Sequence, residues 1–285
     1  MMSEEAEKTK TTNCLASAWE YVKFHPTVTD SSDAEKVRAF DFRNTLLMPC
    51  FNERYNHCFM ATVRLLFSVI TFMVILVSAG TYEINTREWG LNPNDGDRVT
   101  WFLRFSNIVS LITLAYFVLG VILGAYPPAE TQYHKSTKVY ALQILWIISF
   151  PLSILALVEC AVNVFPKSTI NRVEEAEVIM VTIMTSIDFI LGTQYTEFRW
   201  IIYPAAVLSC YLLILMLLAV KDIVVYPALS FTKGAEDLWS VVSVYLILIA
   251  IQVGTVVLSK LRYMRRDRFA QNTHGAYRIL TSQVV

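Results

Sequence analysis

Six long apolar runs decide what this chain can become. They are Phe59–Thr81, Phe105–Tyr126, Val139–Phe165, Ala176–Thr193, Ile201–Tyr226 and Leu238–Ser259. A helix of about 20 apolar residues crosses the hydrocarbon core of a bilayer. Lipid offers backbone N–H and C=O groups no partner, so each span must satisfy its own as a helix. The expected fold is all-α, a polytopic transmembrane bundle of about six spans. It leaves a cytoplasmic N-terminal region over residues 1–58, a membrane domain over 59–259 and a tail over 260–285. Composition agrees: 55% of the 285 residues are hydrophobic, above the 45–50% usual for a soluble domain.

The charges separate by position. Lysines and arginines balance aspartates and glutamates at 24 each, which argues against a nucleic-acid partner. With six spans both termini lie on one side. Basic residues near span ends crowd that side, chiefly in Lys260–Arg268 after the last span. The positive-inside rule then places both termini in the cytoplasm. The polar start MMSEEAEKTKTT has no apolar core, so the first span is expected to act as the insertion signal. Residues 16–24 (ASAWEYVKF) suit a short amphipathic turn, and the tail reads as polar and flexible. Trp101, Trp200 and Trp239 fall at span edges, where an interfacial aromatic belt sits.

Cysteine and histidine exclude several chemistries. Of five cysteines, Cys14, Cys50 and Cys58 fall on the cytoplasmic side, and Cys160 and Cys210 fall within spans. None lies in an outer loop, so no disulfide framework is implied. Cys50 and Cys58 near span one admit S-acylation or plain reduced thiols. His25, His57, His134 and His274 all lie outside the apolar runs. A membrane-buried nucleophile with a histidine base is therefore hard to build. No ligand set has metal spacing and no glycine loop suits a phosphate. Neither a metal nor another cofactor is expected, and no residue stands out as catalytic.

What remains is a small set of ionisable groups inside the apolar runs, where each costs a few kcal/mol on insertion scales. Arg64 lies about five residues into span one, within snorkelling distance of the interface. Asp188 lies deepest, about twelve residues into span four. Glu159 is in span three and Lys221 in span five. Depth permits two ion pairs, Arg64–Asp188 and Glu159–Lys221. These four residues form the candidate intramembrane polar site, either a proton or ion path, a pocket for a lipid headgroup, or structural pairing. Thr182, Thr185 and Ser186 could add hydrogen bonds to Asp188 or bond their own helix. Between spans four and five lies a polar loop, Gln194–Trp200. Pro151 interrupts span three, where proline commonly kinks a helix.

Several short motifs resemble a known family. Phe102-Leu103-Arg104-Phe105-Ser106-Asn107 opens span two, Ser186-Ile187-Asp188-Phe189 lies in span four, and Ile201-Ile202-Tyr203-Pro204, Tyr211 and Tyr226-Pro227-Ala228-Leu229 follow at helix-scale spacing. In this order, over roughly residues 59–262, the chain resembles rolling-stone-like membrane proteins and, more remotely, the FAR-17a/AIG1-like proteins. The resemblance implies a polytopic helical membrane protein. The remoter branch contains threonine-dependent hydrolases of lipid esters with a catalytic threonine and histidine. A gapless match of the span-two opening puts that threonine at Arg104. The histidine falls near the start of span four, where this chain has Val173-Glu174-Glu175-Ala176-Glu177-Val178. Both catalytic residue types are missing, so the resemblance does not carry hydrolase activity to this chain. The usual His/Asn opening of span four in rolling-stone-like proteins is missing as well. That family's name is tied to cell fusion, and the biochemical activity it implies is open. Three functions therefore stand at the level of sequence. They are a non-enzymatic membrane protein with a lipid or membrane-protein partner, a lipid-ester hydrolase, and a transporter or channel using Asp188.

Overall fold

The computed structural model describes residues 57–86, 101–126, 136–163, 172–192, 194, 196–220, 231 and 234–282. The N-terminal region up to residue 56, Lys221 and the Tyr226-Pro227 step lie outside them. The chain divides into two units, Met1–Arg38, outside the described residues, and Ala39–Val285, which holds the bundle.

Six long helices make up the described chain: α1 (His57–Thr86), α2 (Phe105–Ala125), α3 (Thr137–Asn163), α4 (Arg172–Leu191), α5 (Ile202–Ala219) and α6 (Ala235–Ser282). A 3-10 turn, Phe198–Ile201, leads into α5. No strand occurs among the described residues. The protein is an integral, multi-pass, all-α membrane protein, since five of the helices are long and apolar enough to cross a bilayer. The exception is α4, whose sequence carries Arg172, Glu174, Glu175, Glu177 and Asp188. One face of it packs against α1, α2 and α3, and Ile183 and Ile190 stay exposed on the other. The exposed apolar residues of α1, Leu65, Val69, Phe72, Met73 and Leu76 among them, recur at helical spacing and form a lipid-facing stripe.

Two apolar cores fill the interior. One gathers Phe67, Phe117, Trp146, Phe150, Val181, Met184 and Phe189 from α1 to α4. Within it, Phe150 stacks on Phe189 with ring centroids 4.7 Å apart. The other joins Phe105, Val109, Leu152, Leu155, Val178, Leu208, Tyr211 and Leu248 from α2 to α6. Tyr211 anchors α5 to the head of α2 by donating to the Leu103 carbonyl at 2.9 Å. Pro204 falls in the first turn of α5, where a missing N–H costs nothing. Helix α3 runs unbroken through Pro151.

Helices α3 and α4 are joined by hydroxyls. Ser153 and Thr185 meet at 2.9 Å, and Thr182 donates to the Ser153 carbonyl at 3.0 Å. Thr185 also donates to the carbonyls of Val181 and Thr182 in its own helix. These groups serve helix pairing and leave Asp188 to other partners. Cross-helix hydrogen bonds of this kind average about 0.6 kcal/mol. Ser153→Ala should therefore lower stability by about that amount, measured by unfolding in mixed detergent micelles.

Two sequence expectations change, and the loop after α4 takes a position the sequence did not specify. Trp101 is not a lipid-interface residue: it is buried, with its indole N–H donating to Ser78 Oγ at 3.1 Å. An indole N–H inside a bundle needs such an acceptor, and Ser78 of α1 supplies it. The polar loop after α4 turns inward, since Gln194 and Thr196 are both buried. The stretch read as a flexible tail continues α6 as helix to Ser282. Its residues are mostly good helix formers, and no proline interrupts them.

Candidate functional site

The site assembles at the end of the bundle where α1 begins. Arg64 is in the second turn of α1 and Asp188 in the last turn of α4. Tyr116 projects from the second half of α2. Hydrogen bonds between the three side chains bring these positions together. Gly192 ends α4, and its amide closes on the Asp188 carbonyl at 2.8 Å. Two residues later the chain delivers Gln194 to the same place.

Arg64 does not snorkel. It is completely buried, and so are Asp188 and Tyr116. Arg64 Nε donates to Asp188 Oδ1 at 2.8 Å, and Nη2 donates to Oδ2 at 3.3 Å. The geometry is the two-pronged fork that suits guanidinium to carboxylate. Tyr116 OH donates to Oδ2 at 2.5 Å and accepts from Arg64 Nη2 at 3.0 Å. Gln194 Nε2 donates to Oδ2 at 2.8 Å and reaches Tyr116 OH at 3.2 Å. The carboxylate therefore accepts four hydrogen bonds, about as many as its lone pairs provide. The Arg64 guanidinium also lies 5.4 Å from the Tyr116 ring centroid, within cation–π range.

The reason Arg64 turns inward is legible in its surroundings. Gly120, one turn beyond Tyr116 on α2, leaves the space its stem occupies. A Cβ there would sit 2.6 Å from Arg64 Cδ. The alternative, reaching the interface, would leave Asp188 as an unpaired carboxylate in hydrocarbon, which costs far more than pairing.

The remaining candidates do not join this cluster. Glu159 lies in the other half of the bundle, half-buried, at the rim of a crevice of about 40 Å³ lined by Phe105, Leu155, Leu208, Tyr211, Leu212 and Val244. The proposed partner Lys221 is outside the described residues, so the second pair is not described. No group of histidine, cysteine, aspartate and glutamate among the described residues is arranged to hold a metal ion.

Sequence reasoning did not identify Tyr116 and Gln194. Tyr116 sits in an apolar run where a phenol reads as core filling. Gln194 stands in a polar loop whose composition names no partner for it. The signal for Tyr116 was its helical register with Gly120. A tyrosine and a glycine four residues apart share a face, and that face meets Arg64. A second polar position, Gln252 of α6, donates to Thr196 Oγ1 and the Glu197 carbonyl, both at 3.3 Å. It ties the inward-turned loop to α6.

No family model, curated protein or solved structure matches the chain. The geometry of the site therefore carries the functional reading.

Proposed function

We propose that this chain is a non-catalytic multi-pass membrane protein, similar to rolling-stone-like proteins, with both termini in the cytoplasm. It acts through its lipid-facing helices and its loops on lipid or on another membrane protein. The observation that supports this reading is the saturation of Asp188. Its oxygens are engaged by Arg64, Tyr116 and Gln194, three groups from α1, α2 and the loop after α4. An ion or substrate at Asp188 would have to displace a bidentate arginine in a medium that penalises unpaired charge. The pair serves as a pin that fixes the register of α1, α2 and α4, which is the best-attested use of buried polar groups.

The test compares wild type with the double variant Arg64→Met/Asp188→Leu, both reconstituted in liposomes. Cation and proton fluxes are expected to be the same in the two. A flux present in wild type and lost in a folded double variant would return Asp188 to a transport role. For the enzyme alternative, a serine/threonine-hydrolase activity probe is expected to leave the protein unlabelled. Labelling that disappears with one hydroxyl residue would make it a hydrolase.

Orientation has its own check. A glycosylation acceptor inserted at Asn94, between α1 and α2, is expected to be modified in microsomes, and one at Ser136 is not. The reverse pattern would invert the topology.

A further inference from the structure

Polar residues continue through the bundle beyond Asp188. Glu177 lies eleven residues earlier on α4, which is about three turns and about 16 Å along the axis. The two carboxyls therefore share one face of the helix. Glu177 is completely buried, and Ser78 on α1 and Ser110 on α2 are buried as well. Both serine hydroxyls face it, and Arg104 at the head of α2 acts on it through its charge. Between the two centres, Thr71 of α1 and Thr113 of α2 are also buried. Thr71 bonds the sulfur of Met184 at 3.9 Å, and the Thr113 hydroxyl has no hydrogen-bond partner.

Glu177 differs from Asp188 in one decisive respect. Neither of its carboxylate oxygens meets a partner in full hydrogen-bond geometry, and the Ser78 and Ser110 hydroxyls beside it are neutral, whereas Asp188 accepts four bonds, two of them from a guanidinium. A buried carboxylate left in this state costs several kcal/mol. A bundle that saturates one acid leaves the other, three turns away, without a full set of partners, so a small ligand that neutralises it would lower the cost of burying it. The ligand must be small and must neutralise one negative charge. A hard cation such as Ca2+ or Mg2+ needs about six or more oxygens, no group of three or more potential metal ligands occurs here among the described residues, and the Arg104 guanidinium would repel any cation. Among the described residues Arg104 is the charged group facing Glu177 from a neighbouring element; on α4 itself Glu175 precedes it by two residues. A proton meets both conditions and needs one oxygen alone.

We propose that Glu177 is a proton-exchange site in the seam between α1, α2 and α4. In its neutral form the carboxyl occupies the buried position beside Ser78 and Ser110. On releasing the proton to the membrane face where α4 begins, it turns toward Arg104. The ligand is a proton and the site is a single carboxyl, independent of the pinning role given to Asp188.

The test uses the full chain in lipid nanodiscs. Infrared spectra recorded across a pH series should contain a carboxylic-acid carbonyl band that titrates. That band should be missing in Glu177→Gln and retained, shifted, in Glu177→Asp. In parallel, wild type is treated with a hydrophobic carbodiimide. The carboxyl proton passes to a carbodiimide nitrogen, the carboxyl oxygen adds to the central carbon, and acyl migration to nitrogen leaves a stable N-acylurea. Peptide mass mapping of wild type locates the adduct without any variant having to fold. The adduct is expected on Glu177 and not on Asp188, with labelling falling about tenfold per pH unit above the midpoint. Identical spectra for wild type and Glu177→Gln at every pH overturn the proposal. So does an adduct confined to Asp188, or labelling of Glu177 that ignores pH.

Discussion

Asp188→Asn is expected to destabilise the bundle by about 3–5 kcal/mol, the cost of removing one partner from a buried ion pair. Asparagine keeps the shape of the side chain and can still accept from Arg64. What it removes is the negative charge. The Arg64 guanidinium then stays fully buried without the charge of the carboxylate that grips it through two hydrogen bonds. Unfolding in mixed micelles, followed by circular dichroism, measures the loss. A cost below about 1 kcal/mol, the range of exposed ion pairs, would mean that the pair is not desolvated as the structure places it.

Gly120→Val is expected to cost about 3 kcal/mol, the upper end of the range for overpacking a filled core. A Cβ at this position meets Arg64 Cδ at 2.6 Å and Nε at 3.3 Å. The stem cannot swing away cheaply, since the guanidinium beyond it is held by Asp188 on one side and Tyr116 on the other. Valine therefore displaces the fork from its carboxylate as well as crowding it. Gly254→Ala is the control. Nothing lies within 4 Å of a Cβ there, so it should be neutral, or stabilising by up to about 1 kcal/mol through helix propensity. Equal losses in the two variants would show that Gly120 matters for its backbone and not for the room it leaves Arg64.

The apolar runs made the bundle readable because lipid enforces a simple rule: long, uncharged and helical. Asp188 was conspicuous for the same reason, and the depth of Arg64 made it a possible partner. Depth could not say whether Arg64 would turn inward. That depends on Gly120, whose spacing with Gly124 suits any close helix contact, and on Tyr116, one of 14 tyrosines. Glu177 was hidden by its position. It lies at the charged edge of the run, among glutamates that look interfacial, and only the packing of α1 and α2 over it makes it an interior group. Trp101 was misread through the converse effect, since a tryptophan at a span edge suits either lipid or a partner serine. The loop after α4 was polar without a stated partner, and its polarity is used inside, on Asp188 and Gln252. Short-range composition describes a side chain's own preference and not which neighbours fold over it.

The pinning role of Arg64 and Asp188 is tested most directly by a double-mutant cycle with Arg64→Met, Asp188→Leu and the pair together. Each single change strands a buried charge or its partners and is expected to cost about 3–5 kcal/mol. The double variant removes both charges and fills the space with apolar atoms. It is expected to lose far less than the sum of the singles, with the difference appearing as a coupling of roughly 3 kcal/mol, the upper end for contacting residues. Additive losses, with no coupling between the two sites, would contradict the account.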